Sequence, residues 1–178
     1  MKAILISAGH SDTDAGAVSG NVKEATETRK LRDVCGKILR EKGFTVLEDG
    51  ADGVNLPLAS AIKLMSKAGI GIEFHFNSGP RSATGIEVLS LSKDKALAQK
   101  LAAAVSVATQ TALRGDKGWK SETSGPHKRL GFVHAGGLIV EVCFITNPED
   151  MRRYHDNFNA ICAGVAKVLE NAAKANNV

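Results

Sequence analysis

Short apolar runs that stop at glycine or polar residues alternate along this chain with segments of helical periodicity, and no other feature restricts the fold as much. Ala3-Ile4-Leu5-Ile6 ends at Ser7-Ala8-Gly9, the pattern of a buried strand meeting a turn. Residues 44–47, 70–76, 85–91 and 138–144 read as further strands. In 70–76, Ile70, Ile72, Phe74 and Phe76 alternate with Gly71, Glu73 and His75. A helix is predicted over 22–42, where Leu31, Val34, Cys35, Ile38 and Leu39 recur at helical spacing and Gly43 stands where a C-terminal cap belongs. Others are predicted over 56–67, over 93–113, and from Asn147-Pro148 to the C-terminal tail. The Gly- and Lys-rich stretch 114–130 is expected to be the least structured. Strands and helices in this order predict an α/β fold, a twisted, largely parallel sheet with helices on both faces.

A length of 178 residues suits a single domain spanning 1–178. With 43% hydrophobic and 24% charged residues, the chain is expected to be a folded, soluble protein. The net charge is +4, but the basic residues are scattered, and one Trp, one Tyr and six Phe are too few for a base-stacking platform; no nucleic-acid partner is expected. Cys35, Cys143 and Cys162 are an odd, widely spaced set within apolar runs, which fits core thiols in a reducing compartment. The N-terminus lacks the apolar stretch of a signal peptide, and no run is long enough for membrane insertion, so synthesis in the cytoplasm is expected. The sequence carries no signal of an oligomeric state.

In an open parallel sheet, ligands bind beyond the carboxyl ends of the strands. His10 follows the first strand and His75 lies near the end of the third, and two imidazoles converging there can grip a divalent metal. Each alone also reads as a hydrogen-bonded structural histidine. Glu24 and Glu27 open the first helix, about 12° and about 48° from the centre of its apolar stripe. A carboxylate on an inward face must be paired or bound to a cation, which makes Glu24 the better third ligand and Glu27 the second choice. A first-turn glutamate also answers the helix dipole. Glu141, inside Leu138-Ile139-Val140-Glu141-Val142-Cys143-Phe144, should have a raised pKa suited to a general base or acid; a buried ion pair with Lys or Arg is the alternative. Cys143, two residues on and on the same strand face, is weighed as a nucleophile served by His75 or His134, but no cysteine-hydrolase signature accompanies it. No GxSxG, GxGxxG or GxxxxGK[ST] motif is present.

Four segments carry a family resemblance: Gly9-His10-Ser11-Asp12-Thr13-Asp14-Ala15-Gly16-Ala17; Val22-Lys23-Glu24; Phe74-His75-Phe76-Asn77-Ser78, followed by Gly85-Ile86-Glu87-Val88; and Val140-Glu141-Val142-Cys143-Phe144-Ile145-Thr146-Asn147-Pro148-Glu149-Asp150. In this order they resemble the zinc-dependent N-acetylmuramoyl-L-alanine amidases of the type-3 amidase group, cell-wall hydrolases of bacteria and phages. Ser11 and Cys143 stand where that family more often has glycine. The resemblance implies Zn²⁺ held by His10, Glu24 and His75, with Glu141 as the catalytic residue. It implies peptidoglycan as substrate, cut between N-acetylmuramic acid and L-alanine. Only Ser78 to Thr84 separates Asn77 from Gly85, too little for the inhibitory helix some members insert, so an uninhibited enzyme is expected. A small single-domain phage endolysin is implied, reaching the wall through a holin-type release partner or by lysis. His127 and His134, in or beside the loop leading to Glu141, are expected near substrate. The competing readings are a non-catalytic peptidoglycan-binding or virion component with the same fold, and a metal-free α/β hydrolase using Cys143.

Overall fold

A computed structural model of the chain describes residues 2–50, 53–124 and 130–175. The first apolar run forms β1 (Ala3–Ala8), buried at every position. Two-residue strands β2 (Val18–Ser19) and β3 (Val22–Lys23) pair as a small hairpin before α1 (Glu24–Glu41). Gly43, at φ 85°, ends α1 as the periodicity predicted: its N–H donates to Arg40 O and that of Phe44 to Leu39 O. Then follow β4 (Val46–Glu48), α2 (Leu58–Met65), β5 (Ala68–Asn77), β6 (Glu87–Ser90), α3 (Lys95–Thr109), β7 (Trp119–Ser121), α4 (Gly131–His134), β8 (Leu138–Phe144), α5 (Pro148–Asp156) and α6 (Phe158–Ala175).

The main sheet runs β4-β1-β5-β8-β6-β7. The first four strands are mutually parallel; β6 runs antiparallel to β8, and β7 parallel to β6. The architecture is therefore a mostly parallel α/β sheet flanked by helices. One face, with Ile4, Ile6, Ile72, Phe74, Val140 and Val142, packs under α1, α3, α5 and α6 in the larger core. The other, with Leu5 and Ile139, meets α2 and α4 among the described residues. That thin cover leaves the carboxyl ends of β1, β5 and β8 reachable from solvent on one side.

Several expectations shift. The stretch 114–130, expected to be the least structured, contributes edge strand β7, whose three residues are too few to show a period. The predicted helix 93–113 stops at Thr109 because Gln110 takes a left-handed conformation, φ 54°. The tail is two helices rather than one, broken at Asn157. Asn147 caps α5, its side chain accepting from the N–H groups of Glu149 and Asp150, with Pro148 at the first helical position. Asp150 then accepts from Phe144 N–H (3.0 Å) and Thr84 Oγ1 (2.6 Å), and Asn147 Nδ2 donates to Ala83 O (3.0 Å). The Asn-Pro-x-Asp run thus ties the segment between β5 and β6 back onto the start of α5.

One buried charge braces the sheet edge. Arg32 on α1 is fully buried and lies 3.3 Å from Asp49 Oδ1, while Nη2 donates to Val54 O (2.8 Å). Losing one partner of a buried pair leaves the other uncompensated, at about 3–5 kcal/mol. Arg32→Met should therefore lower the urea midpoint by an equivalent amount; an unchanged midpoint would mean that the other donors to Asp49 suffice.

Candidate active site

Each polar side chain here is delivered by a separate element. His10 lies in the loop after β1 with φ 70°, a left-handed conformation uncommon outside glycine. Its neighbour holds it there: Gly9 N–H donates to Phe74 O (2.9 Å), and Gly9 O accepts from Thr28 Oγ1 (3.0 Å). Gly9 also lies against the His75 ring and Gly16 against the His10 ring, so close that a Cβ on either would overlap the imidazole. His75 is on β5, facing the thinly covered side, where strand alternation puts Gly71, Glu73 and His75 together. Glu24 is the first residue of α1, buried despite its charge.

Glu24 joins the two histidines. Its Oε2 is 2.9 Å from His10 Nε2 and its Oε1 is 3.0 Å from His75 Nδ1. The N–H groups of Ala17 and Phe76 donate to the same two oxygens, each at 2.9 Å. Ligand atoms of His10, Glu24 and His75 lie within 4.8 Å of one another. Burial pushes the Glu24 carboxyl up, but the two imidazoles outweigh it and hold the group far below the usual carboxylate range. His10 is raised by Glu24, against the opposing effect of burial and with help from Asp14. Burial also opposes the His75 imidazolium, yet Glu24 and Glu73 hold it well above the ordinary histidine value. The site is thus built to concentrate positive charge.

The far nitrogen of each ring also meets a carboxylate. His10 Nδ1 lies 3.0 Å from Asp14 Oδ2, and His75 Nε2 lies 3.0 Å from Glu73 Oε1. A neutral imidazole donating through that nitrogen presents the other as a lone pair, the arrangement metal-binding histidines adopt. Two imidazole nitrogens and one carboxylate oxygen, turned inward and backed this way, fit a Zn²⁺ ion with a further position open.

Glu141 on β8 is the register partner of His75 across β5 and β8, and of Glu87 across β6 and β8. Glu87 is neutralised by Arg114 Nε (2.5 Å) and Lys120 Nζ (2.7 Å). Glu141 Oε2 is buried and has no hydrogen-bond partner among the described residues. Burial pushes the Glu141 carboxyl up to about 7, with His75 working against the shift and Glu24 and Glu87 adding to it. A cleft passes over these groups in two lobes of about 500 and 560 Å³. Among the described residues, Pro57, Leu58, Glu73 and Phe132 line the first, and Asn77, Ser78, Glu87, Glu122 and Glu141 the second; both reach His10, His75, Leu130 and Ile139.

The structure brings together His10, Glu24, His75 and Glu141, the four residues singled out from the sequence. Glu27 stays apart, occupied by Lys30 Nζ (2.8 Å) and the Tyr154 hydroxyl (3.2 Å). Cys143 does not share the face of Glu141. The β5–β8 register shifts between His75 and Asn77, where three steps on β8 match two on β5, and this bulge turns Cys143 into the main core against Met151 Sδ at 3.8 Å. Burial pushes its thiol pKa up, the wrong direction for a nucleophile. His134 is exposed on α4, and His127 lies outside the described residues. Asp14 and Glu73 were given no role in the sequence reading. Strand alternation alone puts Glu73 on the face of His75, and a charged residue at such a position was the available signal.

The family profile described as N-acetylmuramoyl-L-alanine amidase matches residues 4–171. A protein from Neisseria meningitidis, described as a candidate N-acetylmuramoyl-L-alanine amidase, is 38% identical with a TM-score of 0.89 over 97% of this chain and 96% of its own. The catalytic domain of an N-acetylmuramoyl-L-alanine amidase from Bacillus (Paenibacillus) polymyxa shares the fold at 23% identity and TM-score 0.83, covering 98% and 99%. The catalytic domain of an endolysin targeting Clostridia difficile does so at 19% identity and TM-score 0.72, covering 96% and 98%. No curated protein sequence matches the chain.

Proposed function

This chain belongs to the N-acetylmuramoyl-L-alanine amidase family, and from that premise we propose that residues 1–178 form one catalytic domain, a zinc-dependent hydrolase of peptidoglycan. The bond cut is the amide between the lactyl group of N-acetylmuramic acid and L-alanine. The observation that carries the reading is Glu141, a buried carboxyl whose Oε2 has no partner among the described residues, set beside His10, Glu24 and His75.

His10 Nε2, Glu24 and His75 Nδ1 would hold the ion. Zinc, when bound, supplies a Lewis acid that acidifies water and polarises the amide carbonyl. Glu141 takes one proton from the attacking water as its oxygen bonds to the carbonyl carbon. It then delivers that proton to the amide nitrogen, because an amine leaves poorly unless protonated. The C–N bond breaks to give a carboxylic acid on the lactyl group and a free amine on L-alanine, and the acid then yields the second water proton to the amine or to solvent. The cleft runs to both sides of this point, as a substrate with a sugar on one side and a peptide on the other requires.

Glu141 must be ionised to accept the first proton, so activity falls as pH drops through its pKa. Burial pushes it up to about 7 in the metal-free protein against the opposing charge of His75, and bound zinc would take the place of that charge. At saturating zinc, kcat/KM should therefore fall along an acid limb with a midpoint near pH 7. A midpoint well above 7 would assign the limb to another group.

The cellular setting we propose is that of an endolysin, reaching the wall after release by a holin-type partner or by lysis; the catalytic domain of an endolysin targeting Clostridia difficile has the same fold. Among the described residues no helix is long and apolar enough to cross a membrane. Digestion of purified peptidoglycan, with and without chelator, tests the chemistry. New amino groups without new reducing sugars, abolished by chelation and restored by zinc, are expected. Reducing ends would mean a glycosidase, and amines unaffected by chelation would remove the metal from the mechanism.

A further inference from the structure

Glu73 carries a carboxyl into a place where charge is expensive. Its side chain is 4% exposed, on the inner part of β5, two residues before His75 and on the same face. Both its oxygens are engaged: Oε1 with His75 Nε2 at 3.0 Å, and Oε2 with the Ser7 hydroxyl at 2.9 Å. Ser7 is the register partner of Glu73 across β1 and β5. Its hydroxyl also stands 2.7 Å from Asp49 Oδ2 and donates to one carboxylate or the other. Asp49 is anchored in turn by the Ala8 N–H (3.2 Å) and by Arg32. A line of buried contacts thus runs from the α1 guanidinium to the back of the His75 ring.

The opposite histidine is backed differently. Asp14, behind His10, is 65% exposed, so water can replace its carboxylate. Glu73 has almost no such access, and the ring it touches has little freedom, with Gly9 against it and Glu24 on the other nitrogen.

We propose that Glu73 is the positioning residue of the metal centre: by accepting the Nε2 proton of His75 it fixes the tautomer and the ring orientation, leaving Nδ1 as the nitrogen offered to the ion. This rests on the zinc reading above and adds to it one residue that need touch neither metal nor substrate. Outer carboxylates of this kind typically change metal affinity 10- to 100-fold. Glu73→Ala loses the acceptor, whereas Glu73→Gln keeps a carbonyl oxygen able to accept from Nε2–H.

The test is zinc affinity by competition with a chromophoric chelator, on variants shown to be folded by far-UV circular dichroism, together with long-range ¹H–¹⁵N spectra of the zinc-loaded parent. Expected are a 10- to 100-fold weaker affinity for Glu73→Ala, substantial rescue in Glu73→Gln, a smaller loss in Asp14→Ala, and a proton on His75 Nε2. A merely structural role would lower the melting temperature without moving the affinity of the folded protein. Glu73→Ala binding zinc as tightly as the parent overturns the proposal and leaves the zinc reading intact. A parent that binds no zinc overturns both. Should Glu73→Ala fail to fold, the spectrum decides: a proton on His75 Nδ1 overturns the assignment.

Discussion

Glu141→Gln should keep one equivalent of zinc while kcat falls about 100- to 10,000-fold, the usual contribution of a positioned general acid–base. The substitution is nearly isosteric, and its effect on the fold should be small because Glu141 Oε2 has no hydrogen-bond partner among the described residues to lose. Removing the carboxyl also relieves Glu24 and Glu87 of a neighbouring negative charge. The melting temperature of the metal-free protein should therefore hold or rise, and zinc should stay at one equivalent because His10, Glu24 and His75 are untouched, its affinity weakened only by the loss of one neighbouring charge. The acid limb of the pH profile should vanish from the residual activity. Zinc lost in this variant would make Glu141 a ligand rather than a base, and activity within threefold of the parent would remove it from the chemistry.

Strand alternation and helix periodicity made much of this arrangement legible. The run Ile70 to Phe76 displays its two faces in plain text, and the structure keeps them: isoleucines and phenylalanines under the helices, Glu73 and His75 toward the cleft. Glu24 was readable as an inward carboxylate because a helix repeats every 3.6 residues and α1 begins there. Less was legible where the backbone departs from those periods. The bulge in β8 turned Cys143 away from Glu141, and a register shift leaves no trace in a single strand's pattern. Strand β7 and the β2–β3 hairpin were too short to show a period. The carboxylates behind the histidines escaped for another reason. Asp14 sits in a polar loop where an aspartate is unremarked, and Glu73 acquires its meaning only when Ser7 and Asp49, distant in sequence, come beside it.

His75→Ala should lose zinc altogether at micromolar free metal, and with it peptidoglycan hydrolysis, while His10→Ala should lose zinc with less damage to the fold. Two donors cannot make the three-ligand set on which a catalytic zinc site depends. The difference in stability follows from what each ring leaves behind. His75 stands between Glu24 and Glu73, both buried, and without it Glu73 Oε1 loses its hydrogen-bond partner. A buried polar group so abandoned costs about 1–3 kcal/mol, and more when charged. His10 is partly exposed, and Asp14 behind it faces water, so its removal strands nothing in the interior. Glu24 keeps the N–H donors of Ala17 and Phe76 in both variants, which preserves the start of α1. Metal content measured alongside urea midpoints separates the two effects. The expected pattern is equal loss of zinc and unequal loss of stability, the larger in His75→Ala. Stoichiometric zinc retained by His75→Ala would place the ion elsewhere, and the convergence of His10, Glu24 and His75 would then be a hydrogen-bonded cluster that braces the strand ends.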